Sequence, residues 1–189
     1  MKYYIELGID HILDPDGLDH LYFIVSFCLL YTIKDLKKIA VLVTAFTLGH
    51  TITLALAALN IVSVNPSLIE TLIPITILIS CLFNYWALIR NENNEVSKGY
   101  LIYAIILFFG LIHGLGFSNF LSAMLFDGES IVKPLLGFNI GIEVAQLIIV
   151  VAVLAFLWLT DRFLKSNKIV RLVLNTIITA LVVQMIFSG

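Results

Sequence analysis

Lys38-Ile39-Ala40-Val41-Leu42-Val43-Thr44-Ala45-Phe46-Thr47-Leu48-Gly49-His50-Thr51-Ile52-Thr53-Leu54-Ala55-Leu56-Ala57-Ala58-Leu59 carries a single ionisable side chain, His50, after its first residue. A helix rises about 1.5 Å per residue, so a run of this length matches the roughly 30 Å hydrocarbon core of a bilayer. Five further apolar stretches resemble it, over residues 18–33, 68–89, 100–126, 133–160 and 169–187. Across 189 residues 60% are hydrophobic and only 13% charged, with a mean hydropathy of +1.04. Soluble domains have about a quarter of their residues charged, so lipid is the solvent this composition fits.

The polar gaps at 34–37, 60–67, 90–98, 127–131 and 161–168 are short enough to join only antiparallel neighbours. The expected fold is therefore an all-α integral membrane protein: one transmembrane domain over 1–189, a compact bundle of six spans. A short outer helix or re-entrant segment over 3–13 precedes it, closed by the turn chemistry of Asp14-Pro15-Asp16-Gly17. No internal repeat or low-complexity tract is visible.

Basic residues orient the bundle. Lys34, Lys37, Lys38, Arg90, Lys98, Arg162, Lys165, Lys168 and Arg171 gather at three gaps on one side, and only Lys2 and Lys133 fall on the other. The positive-inside rule then predicts both termini outside, in a bacterial inner membrane. The first residues lack a signal peptide's apolar core, so the N-terminus is expected to be retained. A net charge of -2 gives no reason to expect nucleic acid as a partner. Cys28 and Cys81 lack metal-ligand spacing and read as buried, inert thiols. A homo-oligomer is compatible with the chain.

Ionisable groups at membrane depth cost roughly 2.5–3.5 kcal/mol each on insertion scales, so they mark function by default. His20 starts the first stretch, His50 lies about 18 Å into the second and His113 about 22 Å into the fourth at helical rise, both counted from the basic side. Glu143 lies about 15 Å into the fifth from the opposite side. All converge on one layer, midplane or outer half, where His11 and Asp19 also meet the start of a span. Imidazole plus carboxylate without a thiolate motif suits a divalent transition metal such as nickel, cobalt or zinc. Polar stripes support that layer: Thr44, Thr47 and Thr51 on the second span, Glu70, Ser80 and Asn84 on the third with Pro74 between them, and Asn139, Glu143 and Gln146 on the fifth. Gly110 and Gly114, like Gly137 and Gly141, recur at four-residue spacing, which permits close helix contact. Phe108, Phe109, Phe117 and Phe120 read as core or lipid-facing. A single histidine could merely tie two helices together, and a threonine stripe could merely bond its own carbonyls.

Asp19-His20, Thr44-Ala45-Phe46-Thr47-Leu48-Gly49-His50-Thr51-Ile52-Thr53-Leu54, Glu70, Asn84, His113-Gly114-Leu115-Gly116-Phe117 and Asn139-Ile140-Gly141-Ile142-Glu143 together resemble the HupE/UreJ family. Its members are small bacterial membrane proteins associated with hydrogenase and urease gene clusters and regarded as nickel or cobalt permeases. The resemblance implies His11, Asp19, His20, His50, His113 and Glu143 as metal ligands. Thr47, Thr51, Glu70, Asn84, Asn139 and Gln146 are expected in support. The family commonly sets its first histidine closer to the Asp-His pair than the seven residues between His11 and Asp19 here, so Asp14 or Asp16 is the alternative donor.

Three functions compete on these residues. The first is a permease that moves the ion inward, with a helix yielding at Pro74 or at 110–116. The second is an intramembrane zinc hydrolase with Glu143 or Asp19 as base, although the chain has no HExxH motif. The third is a metal sensor or accessory subunit.

Overall fold

The computed structural model describes residues 1–15, 17–90, 99–117, 130–164 and 167–188. Expectations for Asp16, Lys98, Phe120, Lys165 and most of the gaps at 90–98 and 127–131 fall outside the described residues. Seven α-helices are described: α1 (Lys2–Leu13), α2 (Asp19–Cys28), α3 (Leu36–Ala58), α4 (Pro66–Arg90), α5 (Leu101–Gly116), α6 (Val132–Phe163) and α7 (Asn167–Ser188). Four of these, α3, α4, α6 and α7, are long and apolar enough to cross a membrane, and α5 is a shorter apolar helix. The chain is a multi-pass membrane protein.

Two pairs of helices approach through glycine. On α3, a Cβ at Gly49 would strike the backbone of α5 at Leu107, and Cβ atoms at Gly110 and Gly114 would strike Phe46 and His50 of α3. The second pair joins α1 to α6, where a Cβ at Gly8 would meet the Phe138 carbonyl and one at Gly141 the Ile5 carbonyl. Small residues at both contacts let the helix backbones touch, as helices in lipid require where no hydrophobic force drives them together. In consequence α1 is not an exterior strap: Gly8 and Ile12 are buried against the bundle. Asn60, at φ 56°, closes α3 in the left-handed region, with Ile61 N–H reaching back to the Leu56 carbonyl.

The expected first span, 18–33, is helical only from Asp19 to Cys28. Thr32 then turns extended, and Thr32 and Asp35 exchange side-chain and backbone hydrogen bonds to open a 3-10 turn over Ile33–Asp35. Ten residues give α2 a length of about 15 Å, half the bilayer core. The carbonyls freed at its end need partners at depth. Asn84 Nδ2 donates to Ser26 O at 2.7 Å, and Arg171 Nη1 donates to Leu29 O at 2.6 Å and Tyr31 O at 2.9 Å. Cys28 and Cys81 are buried free thiols.

Candidate metal centre

Four helices deliver the histidines. His11 sits in the last turn of α1, Asp19 and His20 begin α2, His50 lies on α3, and His113 is in the last turn of α5. One ligand atom from each of His11, His20 and His50 falls within 4.8 Å of the others, and the same holds for Asp19, His20 and His113. His20 belongs to both triads. Its ring centroid lies 4.7 Å from that of His11, 6.0 Å from His50 and 5.2 Å from His113. Metal–nitrogen bonds of about 2 Å place two donors of one ion up to roughly 4 Å apart, so small rotations of the imidazoles close either triad.

The nitrogens are prepared for this. His20 Nδ1 is 3.2 Å from Asp19 Oδ1, an arrangement that puts the ring proton on Nδ1 and the lone pair on Nε2. His113 Nε2 lies 3.0 Å from Thr76 Oγ1, whose hydroxyl donates to the Ile73 carbonyl at 2.7 Å. With the one hydroxyl hydrogen committed there, Nε2–H of His113 is the donor, and its lone pair moves to Nδ1. His11 Nε2, His20 Nε2, both nitrogens of His50 and His113 Nδ1 are buried without a hydrogen-bond partner among the described residues. A buried polar atom left unpaired costs about 1–3 kcal/mol. Several such atoms aimed at one another fit a donor set whose partner is a cation.

Aromatic rings enclose the centre. Phe117 stands 4.1 Å from His11 between centroids and stacks on Phe138 at 4.9 Å, while Phe46 lies 5.0 Å from His113. Two cavities reach it from the same end of the bundle. One, of about 460 Å³, is lined by Asp10, His11, Asp14 and Phe117 among others. The other, of about 370 Å³, touches Asp19, Glu70 and Pro74. Asp14, the alternative donor, thus lines the approach to His11 and belongs to neither triad.

Glu143 is in neither triad. Its Oε1 accepts a 2.6 Å hydrogen bond from Thr44, the first of three rungs between α3 and α6. Thr47 donates to Gln146 at 2.9 Å and Thr51 to Asn139 at 2.6 Å. These six side chains form a polar seam along one face of α3, and Glu143 is spent there. Asn84 is also remote from the imidazoles, bonded to Ser26 O and Asn175. Glu70 only borders the second cavity. Sequence reasoning missed Thr76, although its position two residues after Pro74 on α4 was a usable signal.

No characterised protein and no solved structure matches the chain significantly. A family model described as HupE / UreJ protein matches residues 1–188. With the histidine centre built from the same Asp19-His20, His50 and His113 positions that carry the motifs, the chain belongs to the HupE/UreJ family.

Proposed function

We propose that the chain is a permease for a divalent transition metal ion, nickel or cobalt, and that His11, Asp19, His20, His50 and His113 carry the ion. The observation that carries this reading is that His20 is common to both triads. A resident catalytic metal needs one rigid cage, whereas a transported ion needs successive sites that each hold it loosely enough to release it. A shared imidazole allows the ion to change partners from His11 and His50 to Asp19 and His113 without ever losing all of its protein ligands. Neutral nitrogens and one carboxylate are donors that suit either nickel or cobalt. Reconstituted protein in sealed vesicles should carry Ni²⁺ or Co²⁺ down a gradient. Tight stoichiometric binding without flux would instead support the hydrolase or sensor reading.

Direction follows from charge. The six-span reading, with α2 and the following turn as the first crossing, puts both termini outside and the basic gaps inside. Arg90 over Trp86 at 5.3 Å and Arg162 over Trp158 at 5.9 Å support that end as a membrane interface. Cysteine placed at Lys34 should react with an impermeant maleimide only from the cytoplasmic face, and cysteine at Ser63 only from the opposite one. The reverse pattern would invert the transport direction.

Protons compete with the metal for imidazoles whose ordinary pKa is about 6.5. Protonation removes the lone pair, so affinity should fall in acid, and protons are released on binding only where the pH is low enough to charge the rings. Calorimetry in buffers of different ionisation enthalpy reads the number released directly. An affinity that stays unchanged even in acid strong enough to charge every imidazole would rule out histidine ligation.

A further inference from the structure

At the far end of α2 from the metal centre, a second cluster of oxygens converges on one positive charge. We propose that Leu29 O, Tyr31 O and the Asp161 carboxylate form an exit site for a divalent cation, and that the Arg171 guanidinium holds this site in the ion's place. Arg171 is 5% exposed and donates to Leu29 O at 2.6 Å, to Tyr31 O at 2.9 Å and from Nη2 to Asp161 Oδ2 at 3.2 Å. Asp161 Oδ1 is buried without a hydrogen-bond partner among the described residues, so the carboxylate has a lone pair to spare for a cation.

The place fits an ion. Helix C-termini carry partial negative charge, and the ends of discontinuous helices in membranes coordinate cations. One ten-residue helix thus presents His20 at its start and, just past its end, carbonyls that Arg171 holds, about 15 Å apart. Between them Asn84 Nδ2 bonds both Ser26 O and Asn175 Oδ1, and Asn175 Nδ2 bonds Cys81 O. Asn175 and Arg171 are one turn apart on α7. A guanidinium stays charged at any physiological pH, so it vacates the oxygens by moving, not by losing a proton. An ion arriving along α2 would repel it and take over its ligands. The role in exit rests on the permease reading; the oxygen site itself does not.

Mn²⁺ is the probe, because it favours oxygen donors and is visible by electron paramagnetic resonance. Purified full-length Arg171→Gln protein should bind one Mn²⁺ more than the wild type. Adding Asp161→Asn should weaken that extra binding at least tenfold. Arg171→Lys, which keeps a cation but cannot span all three oxygens, should show the extra ion at lower affinity. A folded Arg171→Gln protein with no additional Mn²⁺, or with additional Mn²⁺ indifferent to Asp161→Asn, would overturn the proposal. So would failure of both Arg171 variants to fold, since Arg171 would then be a structural clamp. Ni²⁺ binding at the histidines, read on the same samples, and wild-type vesicle flux test the permease reading separately. Either can fail while the other stands.

Discussion

His50→Ala is expected to lower Ni²⁺ or Co²⁺ affinity at least tenfold, about 1.4 kcal/mol, while the protein stays folded. The two effects separate because the His50 ring has no hydrogen bond to lose among the described residues. It is fully buried, and both its nitrogens lack partners among the described residues. Removing the ring leaves a cavity but also removes two unsatisfied polar atoms, terms of opposite sign and of similar size, each on the order of a few kcal/mol. Calorimetry for the metal and a melting curve in detergent give both readings. His113→Ala should cost similar affinity and also lose the ring's hydrogen bond to Thr76, so its melting temperature should fall further. Unchanged affinity with a lowered melting temperature in His50→Ala would mean the ring is only packing.

Gly49→Val should give the opposite signature, losing stability and metal together. A Cβ at this position meets the Leu107 carbonyl and the Leu111 amide, backbone atoms that no rotamer change can clear. Relief requires α3 and α5 to part, at a cost of about 3 kcal/mol or more. Parting them also draws His50 away from His113, whose neighbour Gly114 rests on the His50 backbone. Detergent-solubilised Gly49→Val should therefore aggregate or melt early and bind no stoichiometric Ni²⁺, with Gly49→Ala in between. A normally folded valine variant would show that the glycine contact is incidental.

Much of this arrangement was legible from residue order, because apolar length and glycine spacing are properties of the chain itself. Gly110, Gly114, Gly137 and Gly141 all lie at close helix contacts, as their spacing implies. Height along a span could be counted in the same way. Direction around the helix axis could not, and Glu143 shows the difference: the carboxylate turns to Thr44 because the face it occupies meets α3 at the seam. The ten-residue α2 was hidden for another reason. Its apolar stretch continues to Ile33, and the break depends on Asn84 and Arg171 reaching carbonyls from helices far away in sequence. His11 joins the centre only because Gly8 and Gly141 let α1 sink against α6, a tertiary event with no local signature.

The threonine seam has a consequence for how the protein is made. Thr44, Thr47 and Thr51 each lie within hydrogen-bond reach of the carbonyl four residues back on α3, at 3.0, 3.1 and 2.6 Å, as well as of their partners on α6. During synthesis α3 enters the bilayer long before α6 exists. Its hydroxyls can wait on their own backbone, so none of the three threonines faces lipid unsatisfied in the interval. When α6 arrives, each hydrogen bond is exchanged for another of similar strength. The seam then adds little to stability yet rejects any docking of α6 that misaligns Asn139, Glu143 and Gln146. It works as a proofreading step for assembly and sets the rotation of α3 that aims His50 at its neighbours.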